Sequence, residues 1–499
     1  MKNKVTLLNV LSSVLLQCVT IISGFIVPKL ILSYFGSNVN GLISSLNQFL
    51  SYISLIEGGI TGVIVTSLYK PCVEKDEKKI SSIIITANSF FKKIGWIFLI
   101  YSLVLSIIYP MVFNTGFTFE YVFFLTLILS LNLFIQYMFC LSLKSLFTAD
   151  KKVYVTSFVQ TLIILLNLLL VYISLKIYPN VHLLKFISGI VYIIQPLFYE
   201  FYFRKHYTFY SYEKKDNELI KNRWNGFSIN IASFIHFSTD IVILTIFCDF
   251  ATVSIYSVYA LVTNGLRQIV NSLTNGLNPT IGQEYAKNKV TSLNNKMDVY
   301  EYIILMLVFI IFSIAGLLIT PFVLIYTKGV TDANYNQVVF GVLLVISEAL
   351  YIIKYPHLNL AYAANKFKEI TIPAYIEAAI NILLSIIFVK FFGLNGVVIG
   401  TIIAMLYRMI FHVYFTKKSI LKDRNTNLFY KKILICLLFD IVCIFICESI
   451  FKIKMLSIQS WVLHGFIYLS IYVIVYYIVS ILFFKKEFLF IKKYVMKKR

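Results

Sequence analysis

Apolar residues fill most of this chain in runs of about twenty, separated by short polar or basic stretches. A helix in lipid satisfies its own backbone hydrogen bonds, so such runs read as transmembrane helices. Fourteen are found, starting near Val5, Gly41, Gly95, Tyr121, Val153, His182, Trp224, Val253, Tyr300, Gln337, Ile370, Gly396, Lys432 and Ser460. The second, seventh, eighth and tenth carry the most polar residues. The run Val5–Phe35 exceeds the ~7–15 apolar residues of a secretory signal and lacks a clear cleavage site, so it is read as a retained first span. The pattern predicts an all-α polytopic membrane protein of about 14 transmembrane helices.

The chain also matches itself at an offset near 216. Asn47, Ser51, Ser54, Gly58 and Thr61 of the second span align with Asn264, Gln268, Asn271, Asn275 and Asn278 of the eighth. Ala149-Asp150-Lys151 aligns with Ala364-Asn365-Lys366, and Gly189 with Gly400. A six-helix repeat has an even number of crossings, so both copies enter the membrane the same way, with an axis along the membrane normal. The expected organisation is a six-helix lobe over 1–212, a second over 213–420, and two added helices with a basic cytoplasmic tail over 421–499.

Polar side chains facing lipid are costly and normally face protein or water. Asn264, Arg267, Gln268, Asn271, Asn275 and Asn278 share one face of the eighth helix at 100° per residue. The seventh span offers Asn230, Ser233, His236 and Asp240. The tenth offers Glu348, Tyr351, Tyr355, Asn359 and Tyr362, the eleventh Glu377, Asn381 and Ser385, and the twelfth Thr401, Arg408 and His412. Interhelical hydrogen bonding accounts for single Ser or Thr residues. Whole stripes recurring in both halves fit a water-filled cavity better. Seven formal charges sit at membrane depth: Glu57, Asp240, Glu348 and Glu377, with Arg267, Lys354 and Arg408. The acids are candidates for coupling to a proton or Na⁺, and the cations for binding an anionic substrate. Asn264, Asn271, Asn275, Tyr351 and Tyr355 are candidates for contacting its polar head. Structural ion pairing is the competing reading of the charges. Glu348 and Lys354 are six apart, which points each to a partner on another helix. Pro356 is placed to break the tenth helix near its charges. Gly58-x3-Gly62 and Gly396-x3-Gly400 permit close helix approach.

Charge adds orientation. The chain has 45 Lys+Arg against 23 Asp+Glu, a formal net charge of +22. With the N-terminus inside, 35 of the basic residues fall on cytoplasmic segments and seven on outer ones. By the positive-inside rule both termini are cytoplasmic, and the loops at Gly36–Asn40, Asn114–Phe119 and Cys248–Thr252 are outside. These basic clusters call for no nucleic acid. The seven Cys form no Cys-x-x-Cys pair, and Cys436, Cys443 and Cys447 share one helix face as packing residues. The six His show no metal-ligand spacing. The chain carries no phosphate-binding Gly-rich loop and no catalytic constellation, so it is read as a non-enzyme without cofactor or metal.

One resemblance extends this reading. Tyr34-Phe-Gly-Ser-Asn-Val-Asn-Gly41, Asn47-Gln48 and Glu57-Gly58-Gly59 resemble the first helical hairpin of the Wzx-like polysaccharide flippases. Phe392-Gly-Leu-Asn-Gly-Val-Val-Ile-Gly400 resembles the glycine-rich entry of their twelfth helix. The resemblance covers residues 1–420 and fades beyond. Their superfamily also holds multidrug and toxic compound extruders and peptidoglycan lipid flippases. The resemblance implies a bacterial plasma-membrane flippase for undecaprenyl-diphosphate-linked oligosaccharide, serving a capsule or other surface glycan. Membrane lipid, glycosyltransferases and a polysaccharide polymerase are the implied partners. Cation-coupled multidrug efflux is the alternative within the superfamily. Peptidoglycan lipid flippases usually carry several basic residues in the first two helices, where this chain has only Lys29.

Overall fold

The computed structural model describes all residues except 1, 58, 212–213, 215–233, 235–237, 275–277, 287–289, 422–423, 426, 452, 454–455 and 497–499. The described regular structure is helical, and eleven helices among the described residues are long and apolar enough to cross a membrane. The first apolar stretch, Lys4–Glu57, holds two spans that meet at Gly36. A shorter apolar helix, Ser238–Phe247, and the more polar helix Phe250–Thr274 lie where the seventh and eighth spans are expected. The protein is therefore an all-α polytopic membrane protein.

Residue contacts divide the chain into two compact units. One is Met1–Phe234 with Asp249–Ser254; the other is Ile235–Cys248 with Ile255–Arg499. The expected lobe boundary at 212/213 lies outside the described residues, as do Gly58, Asn230, Ser233, His236 and Asn275. The first unit packs around Phe91, Phe98, Phe147 and Tyr199, all at most 1% exposed. In the second, Phe312, Phe340 and Phe429 are buried. The thirteenth span, Asn427–Ile450, shows how sequence assigns faces. Cys436, Cys443 and Cys447 are fully buried while Leu434, Leu438, Ile441 and Phe445 point out, as lipid solvation allows. The facing helix, Ile458–Phe483, buries Tyr468, Tyr472 and Tyr476.

Four local features refine the sequence reading. The Gly36–Asn40 segment is a sharp break, not an open loop. Gly36 takes φ +82°, which glycine adopts without a Cβ clash, and Ser37 and Asn40 are buried. The tenth span breaks at Lys354, between Val338–Ile353 and Tyr355–Ala363. Pro356 explains this, since its ring lacks an N–H and crowds the preceding turn. The fourth span departs from α geometry at the matching place, through a π-helical turn at Gln136–Cys140. Finally, Gly396 and Gly400 let the eleventh and twelfth spans touch. A Cβ at Gly396 would lie 2.1 Å from the Phe388 carbonyl oxygen, and one at Gly400 2.6 Å from the Ser385 nitrogen. Gly62, by contrast, has nothing within 4 Å, so it marks no close approach.

The turns closing the fourth and tenth spans share one hydrogen-bond pattern. Asp150, Lys151 and Lys152 donate backbone N–H bonds to Leu146, Thr148 and Phe147. Ala364, Asn365 and Lys366 donate to Leu360, Tyr362 and Ala361. Lys151 and Asn365 share positive φ, 59° and 55°. The offset here is 214, one residue less than the alignment of Ala149 with Ala364 implies. The tail after the fourteenth span also folds, as the helix Lys485–Met496.

Candidate functional site

The second unit gathers most of the charges singled out by sequence. Arg267 projects from Phe250–Thr274. Its Nη1 donates to Glu348 Oε1 of the tenth span at 2.7 Å, and its Nη2 donates to the Asn264 side-chain oxygen. The two charged side chains keep 17% and 11% exposure, enough to remain reachable. Among the described residues Glu348 Oε2 has no hydrogen-bond partner.

Arg408 of the twelfth span is more enclosed. Its Nε lies 3.4 Å from Glu377 Oε2 of the eleventh and 2.8 Å from His412 Nε2. One helical turn separates Arg408 from His412, so both share a face. Arg408 Nη1 and His412 Nδ1 are buried without hydrogen-bond partners among the described residues. Lys354, at the break of the tenth helix, is 3% exposed. Its ammonium sits 4.2 Å from the Tyr351 ring centroid and 3.6 Å from Met405 Sδ, a cation–π contact in place of a salt bridge. Tyr351 meets Tyr355 edge-to-face, and Asn271 lies beside the Tyr355 hydroxyl.

Asp240 differs from the other acids of this unit. It is 4% exposed, yet among the described residues only hydroxyls hold it. Tyr256 donates to Oδ2 at 2.9 Å, and Thr401 Oγ1 lies 3.3 Å from both carboxylate oxygens. Asn381 Nδ2 donates to Thr401 at 2.9 Å, while its own Oδ1 is buried and unpartnered. Oxygen ligands of this kind suit a hard monovalent cation. Asp240 also lies within electrostatic reach of Glu348, and Lys354 within reach of Glu348, Glu377 and Arg408. The cluster therefore sets three cations, Arg267, Lys354 and Arg408, against three carboxylates, Asp240, Glu348 and Glu377.

Glu57 belongs to the first unit. Thr61 donates to its Oε1, and Tyr137 to its Oε2 at 3.2 Å. Tyr137 comes from the π-helical turn of the fourth span, so the irregularity aims a hydroxyl at this acid. Like Asp240, Glu57 is held by hydroxyls. Asn275 lies outside the described residues.

Sequence reasoning missed several polar groups enclosed by the fold. Asp440, mid-way along the thirteenth span, accepts from Tyr472 at 3.0 Å. Its isolation in an apolar run is a usable signal. Glu301 is fully buried between Arg424, Lys432 and His357. Lys185, assigned by loop counting to an outer face, lines a pocket in the first unit.

No family model matches the sequence, and no curated protein matches it. Solved structures do match. One is described as "Lipid II flippase MurJ, inward closed conformation": TM-score 0.73, 16% identity, covering 95% of this chain and 99% of that one. A second is the inward-facing conformation of a multidrug resistance MATE family transporter of the MOP superfamily: TM-score 0.62, 14% identity, covering 83% and 96%. A third is a crystal structure of MATE in the bent conformation: TM-score 0.56, 14% identity, covering 84% and 98%. The chain thus shares the fold of these membrane proteins along most of its length.

Proposed function

We propose that this protein is a flippase carrying a polyprenyl-diphosphate-linked oligosaccharide from the cytoplasmic to the outer leaflet of a bacterial plasma membrane, for a capsule, exopolysaccharide or other surface glycan. The observation that carries the reading is the balanced cluster of the second unit. Arg267 is partly exposed and is neutralised by a carboxylate that keeps one oxygen unpartnered. A diphosphate offers guanidinium a bidentate partner of higher charge than Glu348. Substrate would displace Glu348 from Arg267 and leave that acid in a low-dielectric site, where uptake of a proton or Na⁺ relieves the cost. Asp240, held only by hydroxyls, is the best-placed acid for the cation itself. Substrate and cation then favour one another. Cycling follows if the inward and outward states bind them differently. Asn264, Asn271, Tyr351 and Tyr355 would meet the polar head, while the polyprenyl tail stays in lipid. Glycosyltransferases supplying the glycan and a polymerase consuming it would be its functional partners.

Arg267→Ala is expected to abolish surface glycan with expression retained, and Arg267→Lys to impair it partially, because ammonium lacks the fork. Arg408→Ala is expected to lower protein yield as well, since it leaves Glu377 buried without its cation. Wild-type glycan levels in Arg267→Ala cells would contradict the assignment.

Orientation is proposed from the basic asymmetry, with both termini cytoplasmic. Ser37 and Thr115 are buried, so single cysteines at exposed Asn114 or Thr118 are the better reporters. They are expected to react with an impermeant thiol reagent in intact cells, and Lys78→Cys is not. Labelling at position 78 would reverse the topology.

Cation-coupled multidrug efflux is the second reading. It is favoured by Glu57, a partly buried acid with hydroxyl partners. The three cations of the second unit oppose binding of a cationic drug there.

A further inference from the structure

The deep cations described above each meet a carboxylate or an aromatic face; among the described residues, Lys185 meets neither. It projects from the sixth span, Val181–His206, into a half-open pocket of about 180 Å³ within the first unit. Asn47, Asn132 and Asn167 line it from the second, fourth and fifth spans, with Ser188 and Tyr192 beside Lys185. Among the described residues, no charged group acts on Lys185. Gln136 Nε2 donates to Asn132 Oδ1 at 2.9 Å, so Asn132 has its N–H₂ left to offer the pocket. The Asn167 side-chain oxygen is buried without a hydrogen-bond partner. A half-turn of that carboxamide presents a donor instead. Val27, Ile128 and Leu129 supply apolar walls.

We propose that this pocket binds a monovalent anion through the Lys185 ammonium and the carboxamides of Asn132 and Asn167. The chemistry is one of concentrated donors with no competing acid. An ammonium in a pocket without a carboxylate favours an anionic partner, and amide and hydroxyl donors complete the shell of an anion. The same ammonium repels Na⁺, so this is not a cation-coupling site. The apolar walls disfavour a strongly hydrated divalent anion. Two sources share the required chemistry: a free halide, or the carboxylate of an acidic sugar. The second source rests on the proposed transport of a glycan, and the first does not.

The full-length protein, purified in detergent, separates these outcomes by its unfolding temperature. Sodium chloride and sodium glucuronate are each titrated against sodium sulfate at matched ionic strength. A saturable rise with chloride assigns the site to a free halide, and one with glucuronate alone assigns it to a carboxylate. In either case Lys185→Gln is expected to raise the midpoint at least about tenfold, as loss of a charge-assisted contact requires, and Lys185→Arg to retain most of the response. Should Lys185→Gln not purify, Asn167→Ala is expected to weaken the midpoint several-fold. No saturable response in the wild type, or an unchanged response in Lys185→Gln or Asn167→Ala, would overturn the proposal. Neither result depends on transport, so failure here leaves the flippase reading standing.

Discussion

Glu301→Ala is expected to cost about 3–5 kcal/mol of stability, because it leaves cations buried without their counter-charge. Glu301 is fully buried in the ninth span. Arg424 donates to its Oε2 at 2.6 Å, Lys432 lies 3.3 Å from the same atom, and His357 Nε2 lies 3.1 Å from Oε1. Asp298 adds contacts to Arg424 at 2.7 Å and to Lys432 at 3.1 Å, and Glu487 reaches Lys432 at 3.3 Å. Burial alone would lower the Arg424 pKa; Glu301 and Asp298 outweigh it and raise it, which reports a favourable pairing in the folded state. The network ties the broken tenth span to the ninth, the thirteenth and the terminal helix. Glu487→Gln removes only one partly exposed contact and is expected to cost far less. Chemical denaturation of the purified variants ranks them. Equal stability of Glu301→Ala and the wild type would contradict the described pairing.

Asp240→Asn is expected to weaken the cation dependence of transport while leaving the fold intact. Asparagine matches the shape, and its oxygen still accepts from Tyr256 or Thr401. Under the proposed coupling the lost negative charge is a direct cation contact, worth about 1.5–3 kcal/mol, so half-saturation by the coupling ion is expected to rise about 10–100-fold. Glu348→Gln tests the exchange step separately, because it releases Arg267 from its acid and leaves the Asp240 carboxylate in place. That variant is expected to bind substrate more tightly and release it more slowly. Reconstituted vesicles under imposed sodium or proton gradients give the readout. Wild-type transport indifferent to both gradients would rule out coupling through Asp240.

Much of this is legible in the sequence, and the remainder fails for identifiable reasons. Single-residue effects read well. Pro356 breaks the tenth helix as its missing N–H requires, and Gly396 and Gly400 admit a neighbouring helix as their spacing suggests. Helical spacing also places Arg408 with His412 on one face. Pairings across helices read poorly, since spacing along one helix does not specify which neighbour faces it. Spacing points Glu348 and Lys354 away from one another, but only the fold shows Arg267 on one and an aromatic ring on the other. Counting charges in loops sends Lys185 to an outer face because it lies four residues into its helix. The Gly36 turn looks like a loop because Ser and Asn flank it; both are buried, and Asn40 donates to Ser254 at 2.8 Å. Asp440 goes unassigned because the last two helices read as additions to the repeat.

Movement of a lipid-linked oligosaccharide by the purified protein tests the central claim most directly. Proteoliposomes are loaded with a polyprenyl-diphosphate oligosaccharide in both leaflets, and the outer pool is removed with an impermeant glycosidase. The account predicts that wild-type protein returns protected glycan to the enzyme, and that Arg267→Ala does not. Protection that persists with wild-type protein, alongside gradient-driven extrusion of a cationic dye from the same vesicles, would contradict it in favour of drug efflux.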